Sequence, residues 1–514
     1  QGEFRIATQV SQGRLAYVAA PTKGPAWPAL TDVTGELVFE RAGLSFKGAT
    51  RLDGAPNVAW QKVEAQIVNL AQPRVKVTGQ AKGPLEEVMQ MVSKSAINGL
   101  MDNVFDRAQA NGVADYTLTL DVPVAQPEKT KIEGSVNFTG NDLQAIAGTP
   151  VLNKATGTLD FSEHGFGLRN LKGRMLGGEV QLQGGLRFGQ RDGDSPVQLR
   201  IKGQLTAEGL RQAKELGFVS RLATRANGRA DYEAVLGLRR NQTELLITSD
   251  LKGMALNLPA PLNKASAAVL PLRVETQLTK ESLAPKSKVL QDQLRVSLGR
   301  LLSVVYLRDL SKDDPVVLQG GVAVGQVAAA GPVMTTGGVL LHAQWPNVDL
   351  DAWSDVLSEW TGGAVVRPTV ASVTKPSVTK PSAGAKKQAD KSTPLGGVEA
   401  ASPRAMDYVP ARIALVADEV RFSNRLVHKV AAGGARVGDL WRLNVSAEEL
   451  NGLLELRPPS GQTPAQLYAR LSYLVVPPSQ LSEIEEMMTP QPTSIPALDV
   501  VVNELTLRNK KMGR

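Results

Sequence analysis

The chain has 514 residues, a formal net charge of +8 and a pI near 9.4. It contains no cysteine, which excludes disulfides and thiolate metal sites, and no apolar run approaches the ~18 residues of a membrane-spanning helix. With 4% aromatic residues, 48 glycines and 31 prolines, the composition favours many short strands and turns over large globular cores. Lys and Arg alternate with apolar residues, which predicts that they lie on a solvated sheet face and do not bind nucleic acid. Binding of anionic lipid head groups is a second role that these positive charges could have.

The first predicted element is a phrase that occurs twice. Residues 34–46 read TGELVFERAGLSF and residues 156–168 read TGTLDFSEHGFGL, with Thr, Gly, Leu, Phe and Gly at matched offsets. Each copy predicts a β-hairpin with one apolar face. Strict alternation places Val38 on the outer face beside Glu36 and Glu40, which marks it as the first position to check for a covering helix.

Alternation of apolar and polar residues continues along most of the chain, with Gly and Asn or Asp between the runs, as at Gly140 and Asn141. We therefore predict a long antiparallel meander in which every strand has one apolar face. The inward positions that we select are Leu37, Phe39, Leu118, Leu120, Ile132, Val136, Phe138, Leu159, Phe161, Leu199 and Ile201. Ordinary core packing is the competing interpretation for each of them.

Three stretches change to helical spacing, at 84–110, 207–226 and 349–360. Each has an apolar stripe that is expected to pack on the open edge or mouth of the sheet, and a gating or membrane-touching helix is the alternative.

A Lys-, Pro- and Ser-rich stretch at 367–403 is predicted to be a disordered linker or loop. The predicted division of the chain is β segments at 1–83, 111–366 and 404–514, with the helical insertion at 84–110. We expect the chain to be a segment of a longer protein, truncated at its C-terminal end.

Motifs that carry chemistry are not found in the sequence. His164, His342 and His428 are far apart and have no carboxylate at a metal-binding spacing, and no nucleophile elbow, P-loop, dinucleotide fingerprint or zinc-protease helix is present. The sequence therefore assigns no catalytic residue, no metal and no cofactor, and we expect no enzyme.

Several phrases, in order along the chain, resemble the periplasmic part of the YhdP family, within the AsmA-like group that includes TamB. They are PRVKVTGQAKGPL at 73–85, LNLPAPLNK at 256–264, VDLDAW at 348–353, WRLNVSAEELNG at 441–452 and the closing passage at 496–513. Two features depart from the family: its N-terminal inner-membrane helix is absent, and the stretch at 367–394 looks like an insertion.

The resemblance implies a mainly β fold, an elongated, twisted antiparallel sheet bent into an open apolar groove (a β-taco) with a few short helices. It also implies bridge-like phospholipid transfer between the inner and outer membranes of a Gram-negative envelope. The implied partners are phospholipid acyl chains, the inner membrane through the absent transmembrane helix, and the outer membrane or its proteins, with the protein in the periplasm. Roughly 30 strands about 4.8 Å apart would give a groove on the order of 140 Å long. The eleven inward positions would line it.

The sequence leaves three alternatives open. An assembly factor would guide outer-membrane proteins by β-augmentation at exposed strand edges. A structural spacer would bridge the envelope passively. A glycan hydrolase would need a pair of carboxylates in a cleft.

Overall fold

The structure is a computed structural model that describes residues 4–16, 28–95, 108–126, 129–144, 149–187, 197–239, 242–312, 315–335, 337–361, 407–422, 425–457, 466–476, 497–507 and 510–512. It is mainly β, with an open sheet and few short helices, which confirms the predicted fold class. The chain divides into two compact units. Unit 1 comprises 1–257 and 264–278, and unit 2 comprises 258–263 and 279–514.

The sheet of unit 1 is an antiparallel meander. Its strands pair in the order β1-β2-β3-β4-β5-β7-β8-β9-β10-β11-β12-β13-β14-β16, while β6 pairs with β8 and β15 with β13. The strands are β1 (Arg5–Leu15), β2 (Leu30–Glu40), β3 (Gly43–Leu52), β4 (Ala55–Ile67), β5 (Arg74–Pro84), β6 (Gln109–Asn111), β7 (Val113–Pro123), β8 (Lys131–Gln144), β9 (Leu152–Ser162), β10 (Gly165–Met175), β11 (Gly178–Arg187), β12 (Val197–Thr206), β13 (Ala226–Arg239), β14 (Gln242–Ser249), β15 (Met254–Leu256) and β16 (Leu272–Leu278).

The sheet of unit 2 mixes antiparallel and parallel pairs. Its strands are β17 (Gln291–Leu298), β18 (Leu302–Asp309), β19 (Val316–Gly325), β20 (Gly338–Gln344), β21 (Asn347–Asp349), β22 (Arg412–Phe422), β23 (Arg425–Val437), β24 (Leu440–Ser446), β25 (Leu450–Arg457), β26 (Gln466–Val476), β27 (Ala497–Leu507) and β28 (Lys510–Lys511). Parallel pairs are β19 with β20, β20 and β21 with β22, and β26 with β27. Parallel neighbours need a crossover longer than a hairpin turn, and the chain supplies one between β20 and β22 and another between β26 and β27.

The described helices are short and lie between strands. They are α1 (Leu85–Ser93), α2 (Ala207–Gln212), α3 (Phe218–Leu222), α4 (Lys280–Leu283) and α5 (Leu350–Thr361). Within the first predicted helical stretch, α1 is followed by residues 96–107, which lie outside the described residues, and then by strand β6. The second stretch is two short helices with 3-10 turns, and the third is α5. The predicted linker at 367–403 also lies outside the described residues.

Both copies of the repeated phrase form hairpins with matching cross-strand pairs. In β2–β3, Leu37 faces Phe46 and Phe39 faces Leu44. In β9–β10, Leu159 faces Leu168 and Phe161 faces Phe166. The repeated Leu and Phe therefore occupy equivalent inward positions, as the pattern predicts. Outward Val38 is only 9% exposed, between Ala7 and Ser45 on the neighbouring strands.

The polar face of the sheet in unit 1 is joined by ion pairs between residues directly opposite each other. Lys47 Nζ lies 3.2 Å from a Glu64 carboxylate oxygen, Lys82 Nζ 3.1 Å from Asp115, and Lys202 Nζ 2.8 Å from Glu233. These side chains are largely exposed, so each pair contributes little stability. They show that the charged residues of these strands lie together on one face, opposite the apolar one.

Two of the phrases quoted above meet in unit 2. The Trp353 indole Nε1–H of α5 donates to the carbonyl oxygen of Ala260 at 3.0 Å, and Val356 on the same helix is 1% exposed. The side chain of Asp349 accepts from the Ala352 N–H at 2.9 Å, which caps the start of α5. The helix lies against β22.

Candidate functional site

The strand register of unit 1 aligns apolar side chains into rows that run across the sheet. One row crosses β1 to β8 and comprises Thr8, Leu37, Phe46, Ala65, Val77, Leu120 and Ile132. A second row crosses β7 to β14 and comprises Tyr116, Val136, Leu159, Leu168, Gly184, Leu199, Leu236 and Leu245. The second row spans seven strand spacings of about 4.8 Å, or about 34 Å. We call these the first and second apolar rows, and the face that holds them the apolar face of unit 1.

Burial changes along each strand of this face. At one strand end most inward side chains are at most 8% exposed, among them Ala114, Phe138, Leu152, Leu171, Leu205 and Ala230. This closed end is the end from which α1 leaves β5 and α2 leaves β12. At the other end, which we call the open end, Leu120, Ile132 and Phe161 are half-buried. The apolar face is therefore covered along one edge and accessible along the other.

The eleven inward positions predicted from the sequence all lie on this face. Ten of them are half-buried, and Phe138 is 6% exposed at the closed end. The register brings Val136 beside Leu159 and Leu120 beside Ile132, whereas Phe161 faces Gly134. Whether they line a lipid path stays a prediction, and for Phe138 packing inside the closed end is the simpler role.

An aromatic ring covers a glycine toward the open end of the apolar face. A Cβ added at Gly134 would collide with the ring of Phe161 and lie 2.6 Å from the carbonyl oxygen of Thr117. The ring therefore lies flat across β8 instead of standing out from the sheet. Because Gly134 has no side chain, the ring of Phe161 can lie close to the backbone of β8.

Gly134→Ala is expected to lower the free energy of unfolding by about 1–3 kcal/mol, because the added Cβ must displace the Phe161 ring and move away from the Thr117 carbonyl oxygen. Urea denaturation followed by circular dichroism measures the change. Gly167→Ala is the matched control, since a Cβ there meets nothing within 4 Å, and it should be nearly neutral. Equal effects of the two substitutions would contradict the ring placement.

Unit 2 has an apolar row of its own across ten strands. It comprises Val296, Val304, Val322, Leu341, Ile413, Gly434, Leu443, Leu454, Ala469 and Val500. Its closed end holds the buried cluster of Ala417, Val420, Val430 and Ala447. Its open end holds Leu456 and Leu498, which are 39% and 58% exposed. The contrast seen in unit 1 therefore recurs in β25 and β27, whereas in β18 and β20 the open end is also buried, with Tyr306 9% and Val339 1% exposed.

A strap of chain, residues 407–411, lies on the open end of the apolar face of unit 2. The Tyr306 hydroxyl donates to the Tyr408 carbonyl oxygen at 3.0 Å, and their rings meet edge to face with centroids 5.2 Å apart. The Ala411 N–H donates to the carbonyl oxygen of Val339 at 2.9 Å. Burial, together with the nearby Tyr408, raises the pKa of Tyr306 to about 12, so its hydroxyl stays protonated.

A buried ion pair lies beside the strap on the same face. Arg308 Nε and Nη2 lie 2.9 and 2.5 Å from the two carboxylate oxygens of Asp292, and the side chains are 15% and 6% exposed. Such a two-pronged contact satisfies both charges inside an apolar environment. The pair lies directly opposite across β17 and β18, which alternation along one strand does not reveal.

The outer face of unit 2 brings His428 close to two carboxylates that sequence spacing did not connect. His428 Nδ1 lies 2.5 Å from Glu449, and the ligand atoms of His428, Glu448 and Glu449 lie within 4.8 Å of one another. Glu449 also accepts from the His428 backbone N–H at 2.7 Å, and Glu448 pairs with Lys429 at 2.5 Å. These contacts show that the three side chains belong to a local network of ion pairs with Lys429.

The hydrogen bond with Glu449 raises the pKa of His428 above its ordinary value. The stability from the protonated ring is therefore fully present below about pH 6.5 and is lost as the pH rises through the folded-state pKa. We expect the melting temperature of wild type to exceed that of His428→Gln more at pH 6 than at pH 9. The difference should be small, because the ring is 43% exposed, and a difference that grows with pH would contradict the assignment.

Sequence reasoning missed most members of the rows. The same alternation of apolar and polar residues surrounds several positions that were not selected, and applying the pattern to every strand would have found them: Phe46, Val77, Leu168, Leu236 and Leu245. The Asp292–Arg308 pair and the strap carry no signal within a single strand. They require knowledge of which strands are neighbours.

The fold and its rows define an open β-sheet protein with one extended apolar face in each unit, covered at the closed end and, in unit 2, also by the strap over part of the open end. The family model described as YhdP protein matches residues 1–514, and the chain belongs to this family. No curated protein sequence and no solved structure shows a significant match to it. Among the described helices, none has the length and apolar character needed to cross a membrane.

Proposed function

We propose that the chain carries phospholipids between the inner and outer membranes of a Gram-negative envelope, with their acyl chains on the apolar faces and their head groups in water. The observation that supports this is the second apolar row. Its side chains are aligned across eight strands and remain half-buried from Val136 to Leu245, apart from Gly184, which is exposed. A filled sandwich core would bury such residues more completely. Membership of the YhdP family is consistent with a role of this kind.

The energetics favour a surface of this type for lipid transfer. Exposing acyl chains to water costs about 0.8 kcal/mol per CH₂, so a two-chain lipid that leaves a bilayer unaided faces on the order of 20 kcal/mol or more. A continuous apolar face offsets much of this cost at every step of the path. It needs no specific polar contact with the chains.

The proposed setting is the periplasm, with an inner-membrane anchor in the full-length protein and contact with the outer membrane or its proteins at the far end. This setting follows from the family resemblance and the proposed cargo.

A second candidate is an assembly factor that pairs with client strands. Strand β1 supports this function, because its Ile6 and Leu15 are 57% and 53% exposed, and Phe4, which directly precedes the strand, is 52% exposed. Exposed apolar edge strands readily pair with other chains. A passive spacer would use neither the edge nor the apolar face.

Photocrosslinking distinguishes these functions. Photoreactive residues at Leu159, Leu199 and Leu454 should capture phospholipid in cells, while positions Thr158 and Arg200 on the opposite face should not. Mass spectrometry of the crosslinked species identifies the cargo. Lipid captured equally on both faces, or on neither, would overturn the proposal, and capture of unfolded protein at Thr8 of β1 alone would favour the assembly factor.

A further inference from the structure

Among the described residues, three charged residues lie on the apolar face of unit 2 at its open end, and a fourth, Glu504, shares the parity of Val500 on β27 toward the other end. In β7–β14 of unit 1, none of the described cross-strand partners that share this face is charged. In unit 2, Asp292, Arg308 and Arg436 share the parity of the apolar row and lie at its open end. Asp292 and Arg308 are nearly buried, whereas Arg436 is half-buried, and a half-buried charge at the edge of an apolar surface fits a boundary between acyl chains and water.

Two of these three charges neutralise each other. The guanidinium of Arg308 and the carboxylate of Asp292 form the two-pronged pair described above, and both side chains are nearly buried. They leave no net charge for a ligand. The pair therefore holds local structure.

Arg436 is in a different situation. Its guanidinium lies 6.0 Å from the centre of the Trp441 ring, and among the described residues its side chain has no ion pair and no hydrogen bond. Its backbone N–H donates to the carbonyl oxygen of Ala411 at 2.8 Å, which fixes the strand beside the strap. An arginine that lies beside an aromatic ring in this way keeps its N–H donors available for another group.

Arg442, on the same hairpin, is an arginine whose guanidinium already has a carboxylate partner. Arg442 is one residue beyond Trp441, points to the opposite face, and has Nε 2.8 Å from a Glu455 carboxylate oxygen. Arg436 faces Trp441 across the strands, and Trp441 faces Leu456. The available cation thus lies next to the apolar row, and the paired one lies away from it.

We propose that Arg436 binds the phosphate of a phospholipid whose acyl chains lie on the apolar row of unit 2. This inference rests on the proposed function. Planar guanidinium groups bind phosphate through two parallel hydrogen bonds, and the contact is stronger beside an apolar surface than in bulk water. From Arg436 the row leads inward through Gly434 to Leu443 and Leu454, which are the positions that the chains would cover.

The test measures binding of three probes to the full chain: dihexanoylphosphatidylglycerol, dihexanoylglycerol, which lacks the phosphate, and inorganic phosphate. Wild type should bind the phospholipid at least about tenfold more tightly than the diacylglycerol, a ratio that corresponds to about 1.4 kcal/mol. Arg436→Gln should remove this preference and leave diacylglycerol binding unchanged. Arg442→Gln should retain it, and Arg436→Lys should retain part of it.

An unchanged preference in Arg436→Gln overturns the inference while leaving the proposed function intact. Failure of wild type to bind either acylated probe overturns the proposed function itself. Inorganic phosphate that binds as tightly as the phospholipid also overturns the inference, because the acyl chains would then contribute nothing. Circular dichroism of each variant checks that it is folded. If Arg436→Gln does not fold, Arg436→Lys takes its place, and an undiminished preference in that variant overturns the inference.

Discussion

Leu159→Asp is expected to reduce phospholipid capture by about tenfold or more without unfolding the protein. Leu159 lies within the second apolar row, between Val136 and Leu168, and is half-buried. A carboxylate there can reach water, so the fold tolerates it, but an acyl chain that crosses the row must then desolvate a charge. The amount of lipid that copurifies with the protein, measured by mass spectrometry, gives the result.

Two controls define what this result means. Thr158→Asp places the same charge one residue away on the polar face, where it lies opposite Asn137, and should leave lipid capture unchanged. Phe138→Asp places the charge at the closed end, where the side chain is 6% exposed, and should unfold the unit. If Leu159→Asp unfolds the protein as Phe138→Asp does, the second row is closed core and the transfer function loses its main support.

Asp292→Ala should be the most destabilising single substitution in unit 2. It leaves the Arg308 guanidinium buried without its partner, which costs about 3–5 kcal/mol. The loss should also loosen the strap, because Tyr306, whose hydroxyl donates to the Tyr408 carbonyl oxygen, lies two residues from Arg308 on the same face of β18. Hydrogen exchange of the β17 and β18 amides should accelerate by about 100-fold or more, since 1.4 kcal/mol corresponds to a factor of ten.

The double variant Asp292→Leu with Arg308→Met is the informative comparison. Replacing both charges by apolar side chains of similar size is often neutral or stabilising, so this variant should restore most of the lost stability. Glu233→Ala breaks an exposed pair with Lys202 and should cost less than about 1 kcal/mol. A double variant as unstable as Asp292→Ala would mean that the specific ion pair is required.

The alternating pattern was sufficient to predict the class of fold and the face of each strand. It placed Leu37, Leu159 and Phe161 correctly on the apolar face, because side chains on a strand alternate with a strict period of two. It also identified the two repeated hairpins, since a short polar turn between two such runs leaves few other ways to pair them. The helical stretches were found less accurately, because short amphipathic segments between strands take their bounds from the sheet on which they pack.

Local pattern did not distinguish the closed end from the open end. Phe138 and Phe161 look equivalent in the sequence, yet one is 6% exposed and the other is half-buried, since exposure depends on which distant segment covers each strand end. The parallel pairs in unit 2 were missed for a related reason. A meander is the default for strands joined by short turns, and the crossover into β22 departs from it.

The sequence by itself determined that the chain is a mainly β protein with one apolar face per strand and a resemblance to the YhdP family. Only the tertiary structure decided which of those positions form rows, which end of each row is covered, and which charges meet. The physical reason is that alternation is set within a strand, whereas register, burial and ion pairing are set between strands distant in sequence. Asp292 with Arg308, and Arg436 over Trp441, exist as sites only once that register is formed.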